Sequence, residues 1–199
     1  MDPLALNLES KLLVATPAMG DPRFRQAVIY MCAHDDSGAM GIVLNRPKTV
    51  PGGEALHLTD LLEQIGVDGI PRVADMPVLE GGPVDIDRGF VLHTADYEGA
   101  EGTMDVGEGL AMTSTREVLD ALVTDKAPSQ AVLAIGYAGW NGGQIEREIA
   151  DNAWIVCDPD SRERLTAMVF DPNADRKWAN ALGEIGIDPA MLSAMGGSA

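Results

Sequence analysis

Short apolar runs, broken by glycine, proline and acidic pairs, recur along the chain, and their spacing switches between strand-like and helix-like periods. Residues 12–15 form the first run. Thr16-Pro17 ends it, because the residue before a proline is driven toward extended geometry and the proline offers no N–H. Residues 27–33 predict a second strand, with Val28, Tyr30 and Cys32 on one face and Ala27, Ile29, Met31 and Ala33 on the other. Both faces are apolar, so both are expected to be covered. Asp35-Asp36-Ser37-Gly38 is a turn cluster and residues 41–44 return, which predicts a hairpin closed by Asn45-Arg46-Pro47. Residues 50–55 read as loop, and Leu58, Leu61, Leu62 and Ile65 have helical spacing. Val78-Leu79 and residues 89–93 predict strands on either side of Glu80-Gly81-Gly82-Pro83, and the polar, glycine-rich residues 96–109 predict an exposed excursion.

In the second half, Ser114 with Glu117 predicts a capping box, with Leu119 and Leu122 on the buried face of its helix. Residues 131–136 predict a buried strand. Asn141 then reads as an N-cap with Gln144 at the third position, and Ile145 and Ile149 mark the inner side. Residues 153–157 predict a strand, and Asp158-Pro159 the cap and first turn of a helix through Leu165. Residues 175–182 predict a helix ended by Gly183 as a left-handed cap, and Asp188-Pro189 starts a last short one. Hairpins come early and strand–helix units late. The expected fold is therefore α/β of the α+β type, a mixed sheet covered by helices, not a doubly wound parallel sheet.

The 199 residues suit one domain spanning 1–199. A net charge of −17 opposes binding to phosphate backbones and anionic lipid surfaces. Arg23, Arg25, Arg46 and Lys48 are the nearest approach to a basic patch. Cys32 and Cys157 are too few for a disulfide framework. Met1-Asp2-Pro3-Leu4 lacks the basic start of a signal peptide. The uncharged residues 127–145 contain Pro128, Gln130, Asn141 and four glycines, which rules out a continuous apolar membrane helix. A reducing cytoplasm is the expected location.

Candidate chemistry is sparse. Cys32 and His34, two apart on a strand, are expected to share a face, and with His93 nearby they would form a Cys/His/His zinc or thiol site. The other reading is a small core thiol and a hydrogen-bonded strand-end histidine. Gly81-Gly82-Pro83 and residues 136–143 are glycine-rich, but neither matches a P-loop or a dinucleotide fingerprint. Only the second precedes a helix, whose first amides favour an anion unless Asn141 and Gln144 already satisfy them. Glu146 and Glu148, two apart on a helix, do not face each other and read as surface charges, with Arg147 and Asp151 as an ion pair. Tyr137 and Trp140, set among glycines, are either core or anchors for a protein partner. Nothing in the sequence calls for a cofactor.

Three blocks resemble the AlgH/YqgE family of bacterial proteins. The first is Ala15-Thr16-Pro17-Ala18-Met19-Gly20-Asp21-Pro22-Arg23-Phe24 with His34, Gly38-Ala39-Met40-Gly41 and Asn45-Arg46-Pro47. The second is Gly81-Gly82-Pro83-Val84 with Arg88-Gly89-Phe90-Val91-Leu92-His93. The third is Gly136-Tyr137-Ala138-Gly139-Trp140 with Gly143-Gln144 and Asn152-Ala153-Trp154. The resemblance implies an α/β sandwich with a partly barrel-like sheet in a bacterial cytoplasmic protein. It implies no reaction, only a link to regulation of gene expression without a DNA-binding motif. Where the family often has a serine this chain has Ala27, so a hydroxyl there takes no part.

The expected function is a non-catalytic regulatory or protein-interaction module. Its candidate surface comprises Pro17, Asn45, Arg46, Pro83, Arg88, His93, Tyr137, Trp140, Asn141 and Gln144, facing a protein partner the sequence does not name. One alternative is an enzyme or a binder of a small anion or metabolite built from residues 81–93 and 136–144, in which His93 and Asn141 share a pocket. Another is direct DNA contact, which the net charge opposes.

Overall fold

A computed structural model describes residues 6–99 and 101–195; Met1-Asp2-Pro3-Leu4 lies outside the described residues. Nine strands form one sheet: β1 (Leu12–Ala15), β2 (Val28–Asp35), β3 (Gly38–Val43), β4 (Leu79–Glu80), β5 (Val84–Thr94), β6 (Thr103–Gly107), β7 (Leu110–Thr113), β8 (Ala131–Asn141) and β9 (Trp154–Cys157). The order is β6-β7-β5-β8-β3-β2-β1-β9, with β4 added against β8. The β4–β8 pair is parallel and the others are antiparallel, so the sheet is mixed as the pattern predicts. It curls into a half-barrel, which brings its β6 edge back to β2. Tyr30 Oη donates to the Val106 carbonyl at 2.7 Å, and Ser10 Oγ donates to the same oxygen at 3.0 Å.

Helices α1 (Leu58–Gln64), α2 (Arg116–Ala121), α3 (Gln144–Ala150), α4 (Arg162–Val169), α5 (Ala174–Glu184) and α6 (Pro189–Met195) complete the described elements. On one face Leu12, Val14, Tyr30, Cys32, Leu92 and Val106 pack against Leu165, Val169, Trp178 and Leu182 of α4 and α5. The other face is divided. Ile145 of α3 covers Leu13, Ile29, Met31 and Trp154, while Leu58, Leu62 and Val118 of α1 and α2 cover Val91 and Leu133. Strands buried on both faces explain the unbroken apolar runs. Each fully buried aliphatic side chain adds about 1.5–3 kcal/mol.

Several element ends differ from the sequence expectation. Residues 96–109 are not simply an excursion: they contain β6, whose Val106 is buried under the curl. Thr115, not Ser114, is the N-cap of α2, because the Ser114 hydroxyl accepts from Arg88 and its N–H donates to the Gly102 carbonyl. Asn141 does not cap α3. Its pairing with Gly38 extends β8, and Gly143, at φ +71°, makes the turn and is the cap. Asp158 pairs with Lys11, so α4 starts later, at a cap where Ser161 Oγ accepts from Arg164 N. Helix α5 runs through Gly183 because Ile185 and Ile187 pack on the core. Gly186, at φ +74°, is the left-handed residue instead.

Candidate functional site

The hairpin β2–β3 carries a register shift between Met31 and Ala33. This bulge inserts one residue and reverses the alternation beyond it. Cys32 enters the α4/α5 core, whereas His34 lies toward α3. They do not share a face, which overturns the expected Cys-x-His pair. Leu8 N donates to His34 Nδ1 at 3.3 Å, and His34 Nε2 donates to Glu146 Oε1 at 2.9 Å, so both ring nitrogens are committed.

His93 lies elsewhere, on the α1/α2 side, with none of its surface exposed. Its Nδ1 faces the Thr94 carbonyl at 2.8 Å. A carbonyl only accepts, so Nδ1 holds the proton and Nε2 accepts from Thr113 Oγ1 at 2.8 Å. Burial holds its pKa below the usual histidine value. Among the described residues no group of histidine, cysteine and acidic side chains is placed to hold a metal.

His93 pairs with Ala131 at the start of β8, and Asn141 ends that strand. The two thus lie at opposite ends of an 11-residue strand. His93 is wholly buried and Asn141 is exposed, so among the described residues the two do not open onto one shared surface.

The glycine-rich segments meet through packing. Gly81 N donates to the Ile135 carbonyl, and Val43 N donates to the Gly81 carbonyl, so the turn is wedged between β8 and β3. A Cβ on Gly82 would lie 2.1 Å from the Tyr137 carbonyl carbon, and one on Gly136 would lie 2.4 Å from the Gly82 oxygen. These glycines permit backbones to touch; residues 136–141 continue a strand and make no phosphate loop.

Trp140 is 8% exposed and belongs to the core beneath α3, where it meets Trp154 edge to face. Tyr137 is half-buried and packs edge to face on Phe90. Glu148, expected on the surface, accepts from three donors: both indole N–H groups and Gln144 Nε2 at 2.9 Å. Gln144 Oε1 in turn accepts from Asn141 N at 3.1 Å. Among the described residues no ion pair joins Arg147 to Asp151; the Asp151 amide donates to the Arg147 carbonyl. Arg88 lies over the Phe90 ring at 5.3 Å and donates to Ser114 Oγ. Pro17 is exposed, and its neighbour Thr16 donates through its hydroxyl to the Asn152 carbonyl.

The remaining candidates converge. After β3, Glu80 N donates to the Arg46 carbonyl and Lys48 N to the Val78 carbonyl, which sets the 44–48 segment beside the Gly82-Pro83 turn. Asn45 clamps the opposite wall: Oδ1 accepts from Val28 N at 2.9 Å and Nδ2 donates to the Gln26 carbonyl at 2.8 Å. That fixes the turn at Phe24. Between these walls lies a cleft of about 270 Å³. Arg23, Arg46 and Lys48 line it with Glu80, and Phe24, Pro83 and Ile86 supply apolar surface. Arg46 Nη2 donates to the Arg25 carbonyl at 2.7 Å, whereas its Nε is buried with no hydrogen-bond partner. Arg23 is held by Asp21 at 2.6 Å, and its hydrogen bond keeps the Asp21 carboxyl below the usual carboxylate range.

A separate shallow groove, lined by Tyr137, Trp140, Asn141 and Met40, begins on the other side of Val84. The candidate surface thus resolves into a basic cleft, a sheet groove and isolated residues. The Glu148 hub is not legible in the sequence because it depends on β8 and β9, which are not neighbours in the sheet, presenting both indoles to the same side of α3.

The AlgH-like family pattern matches residues 12–190. The chain belongs to the AlgH-like family. Its similarity to other AlgH-like proteins is extensive. A UPF0301 protein of a Bradyrhizobium strain is 45% identical over 194 residues, covering 96% of this chain and 88% of the relative. One from Caulobacter vibrioides is 43% identical over 193 residues, covering 96% and 94%. The solution structure of the AlgH protein from Pseudomonas aeruginosa superposes with a TM-score of 0.71 at 35% identity, with 100% of each chain covered. A Corynebacterium diphtheriae protein shares the fold at a TM-score of 0.63 and 19% identity, covering 89% of this chain and 86% of its own. The AlgH-like fold is thus a mixed α/β sandwich with a curled sheet. Among the described residues no helix is long and apolar enough to cross a membrane.

Proposed function

We propose that this AlgH-like chain is a non-catalytic regulatory interaction module whose partner docks in the cleft between Phe24 and Pro83. The observation that supports this reading is the convergence of Arg23, Arg46 and Lys48 with the apolar Phe24, Pro83 and Ile86 on one cleft. Exposed apolar side chains rimmed by fixed charges are the composition of a protein-docking surface. Ile86 adds a second handle. It is 63% exposed on the 85–88 excursion, whose Asp85 adopts φ +48°. Backbone strain of that kind concentrates at binding segments.

The test compares proteins captured from bacterial lysate by the wild-type chain with those captured by Ile86→Asp and Arg46→Ala. The expected result is loss of the same partner from both variants while their thermal unfolding stays cooperative. Retention of every wild-type partner by both folded variants would remove the cleft from consideration. Trp140→Ala is unsuited to this purpose, because it opens the core beneath α3.

A further inference from the structure

We propose that His34 is a proton-operated latch for the N-terminal segment, closed while its ring is neutral and opened when the ring takes up a second proton. The segment enters the fold at Leu8, which is wholly buried in the apolar cluster beneath α3 with Leu13, Met31 and Ile145. Lys11 N donates to the Leu8 carbonyl and Glu9 N to Asn7 Oδ1, but both bonds are local. Among the described residues, the Leu8 N–H to His34 Nδ1 bond alone ties residues 6–9 to the sheet. The next tie along the chain is Ser10 N to the Met31 carbonyl. Opening uncovers the apolar seat that Leu8 fills beneath α3.

The chemistry of the ring makes this bond conditional. Nδ1 accepts from Leu8 through its one lone pair, and Nε2 holds the ring's proton against Glu146 Oε1. A second proton occupies Nδ1 and sets N–H against N–H, so that proton and the Leu8 amide exclude each other. The His34 side chain is only 7% exposed, so the closed segment leaves little water to take the amide's place. In the open arrangement the amide and the Nδ1–H both turn to water, while the imidazolium keeps Glu146 as its counter-ion. Proton uptake is therefore easier in the open arrangement, and by linkage acid favours opening. Histidine is the side chain that ordinarily changes charge between about pH 5 and 8. The charged groups facing the ring are Glu146 of α3, with Arg147 beside it, and Asp35 of its own strand. Ala39, opposite in β3, is neutral; in the N-terminal segment Glu9 is exposed and Lys11 pairs with Asp158. The Glu146 carboxyl is held below the usual range by its own backbone amide and by His34, and Asp35 by the Ser37 hydroxyl. Both stay charged through the interval, so the ring is the group that changes.

The experiment is NMR on the full chain from pH 8 to pH 5, reading the His34 ring nitrogens and the hydrogen-exchange protection of the Leu8 N–H. At pH 8 the ring is expected to carry its proton on Nε2 and none on Nδ1. The Leu8 protection factor, already corrected for free-chain exchange at each pH, is expected to fall at least about tenfold by pH 5, in step with His34 protonation. The Met31 N–H, bonded to the Lys11 carbonyl, stays protected, which separates local opening from unfolding. Asparagine offers an oxygen acceptor near the Nδ1 position and does not titrate, so His34→Asn keeps Leu8 protected at both ends of the range. Glu146→Gln keeps an acceptor for Nε2 but removes the counter-charge, so the fall moves to lower pH. Constant Leu8 protection while His34 protonates overturns the proposal, as does a proton on Nδ1 at pH 8 or the same fall in folded His34→Asn. If His34→Asn does not fold, the wild-type tautomer and the coincidence of the two wild-type curves decide the matter.

Discussion

Trp140 and Trp154 donate their indole N–H groups to one oxygen, Glu148 Oε2, at 3.0 and 2.8 Å, although their strands are not neighbours in the sheet. Their rings meet edge to face with centroids 6.1 Å apart. The carboxylate fixes α3 over the sheet. Glu148→Ala leaves two buried donors without an acceptor, and each such loss costs about 1–3 kcal/mol. The variant is expected to lose roughly 2–5 kcal/mol of stability in urea unfolding. Glu148→Gln keeps an acceptor for the indoles but sets an amide N–H against Gln144 Nε2, so its loss is smaller, about 1 kcal/mol. Equal losses for the two variants would show that the shared carboxylate does not organise this cluster.

Gly136 and Gly66 have nearly the same positive φ, +74° and +73°, but different surroundings. A Cβ at Gly66 meets nothing within 4 Å, whereas one at Gly136 runs into the Gly82 oxygen at 2.4 Å. Gly66→Ala should cost about 1 kcal/mol, for backbone strain alone. Gly136→Ala should cost roughly 3 kcal/mol or more, because the clash is with backbone that cannot rotate away. Matching denaturation midpoints for the two variants would contradict the close approach of β8 to the Gly82 turn.

Lys177 is 4% exposed, and its Nζ donates to the Met168 and Val169 carbonyls at the end of α4. Burial lowers its pKa to about 8 from the usual lysine value of 10.5. Between those values the unfolded chain binds more protons than the folded one, so this group makes stability rise with pH across that window. Lys177→Met removes this pH dependence. Subtracting the variant's pH–stability curve from the wild type's should give a difference that climbs from about pH 8 to about pH 10.5. A flat difference across that interval would mean the amine is not desolvated.

Both thiols are buried, and burial pushes Cys32 up to about 12 and Cys157 up to about 11. A thiol reacts as its thiolate. At pH 8 the folded chain should therefore leave Ellman's reagent almost unconsumed over a period in which the urea-unfolded chain titrates both cysteines. One rapidly reacting thiol in the folded chain would place Cys32 or Cys157 nearer the surface than the core packing allows.

Local pattern was enough to place most strands and helices. The apolar run at 12–15, the hairpin around Asp35–Gly38 and the spacing of Leu58, Leu61 and Leu62 each depend on neighbours along the chain, and they reappear in β1, β2–β3 and α1. The three family blocks likewise determined the family, since they are ordered strings of residues. The tertiary structure decided what depends on partners distant in sequence. A one-residue bulge sent Cys32 and His34 to opposite faces, and pairing with Gly38 turned a supposed cap at Asn141 into strand. Packing of Gly82 against Gly136 turned a supposed ligand loop into a backbone crossing, and Glu148 became a hub only when Trp140 and Trp154 folded over it. Arg23, Arg46 and Lys48 were visible as scattered charges, but their convergence on one cleft follows from sheet registry and the Asn45 clamp, which no periodicity along the chain encodes.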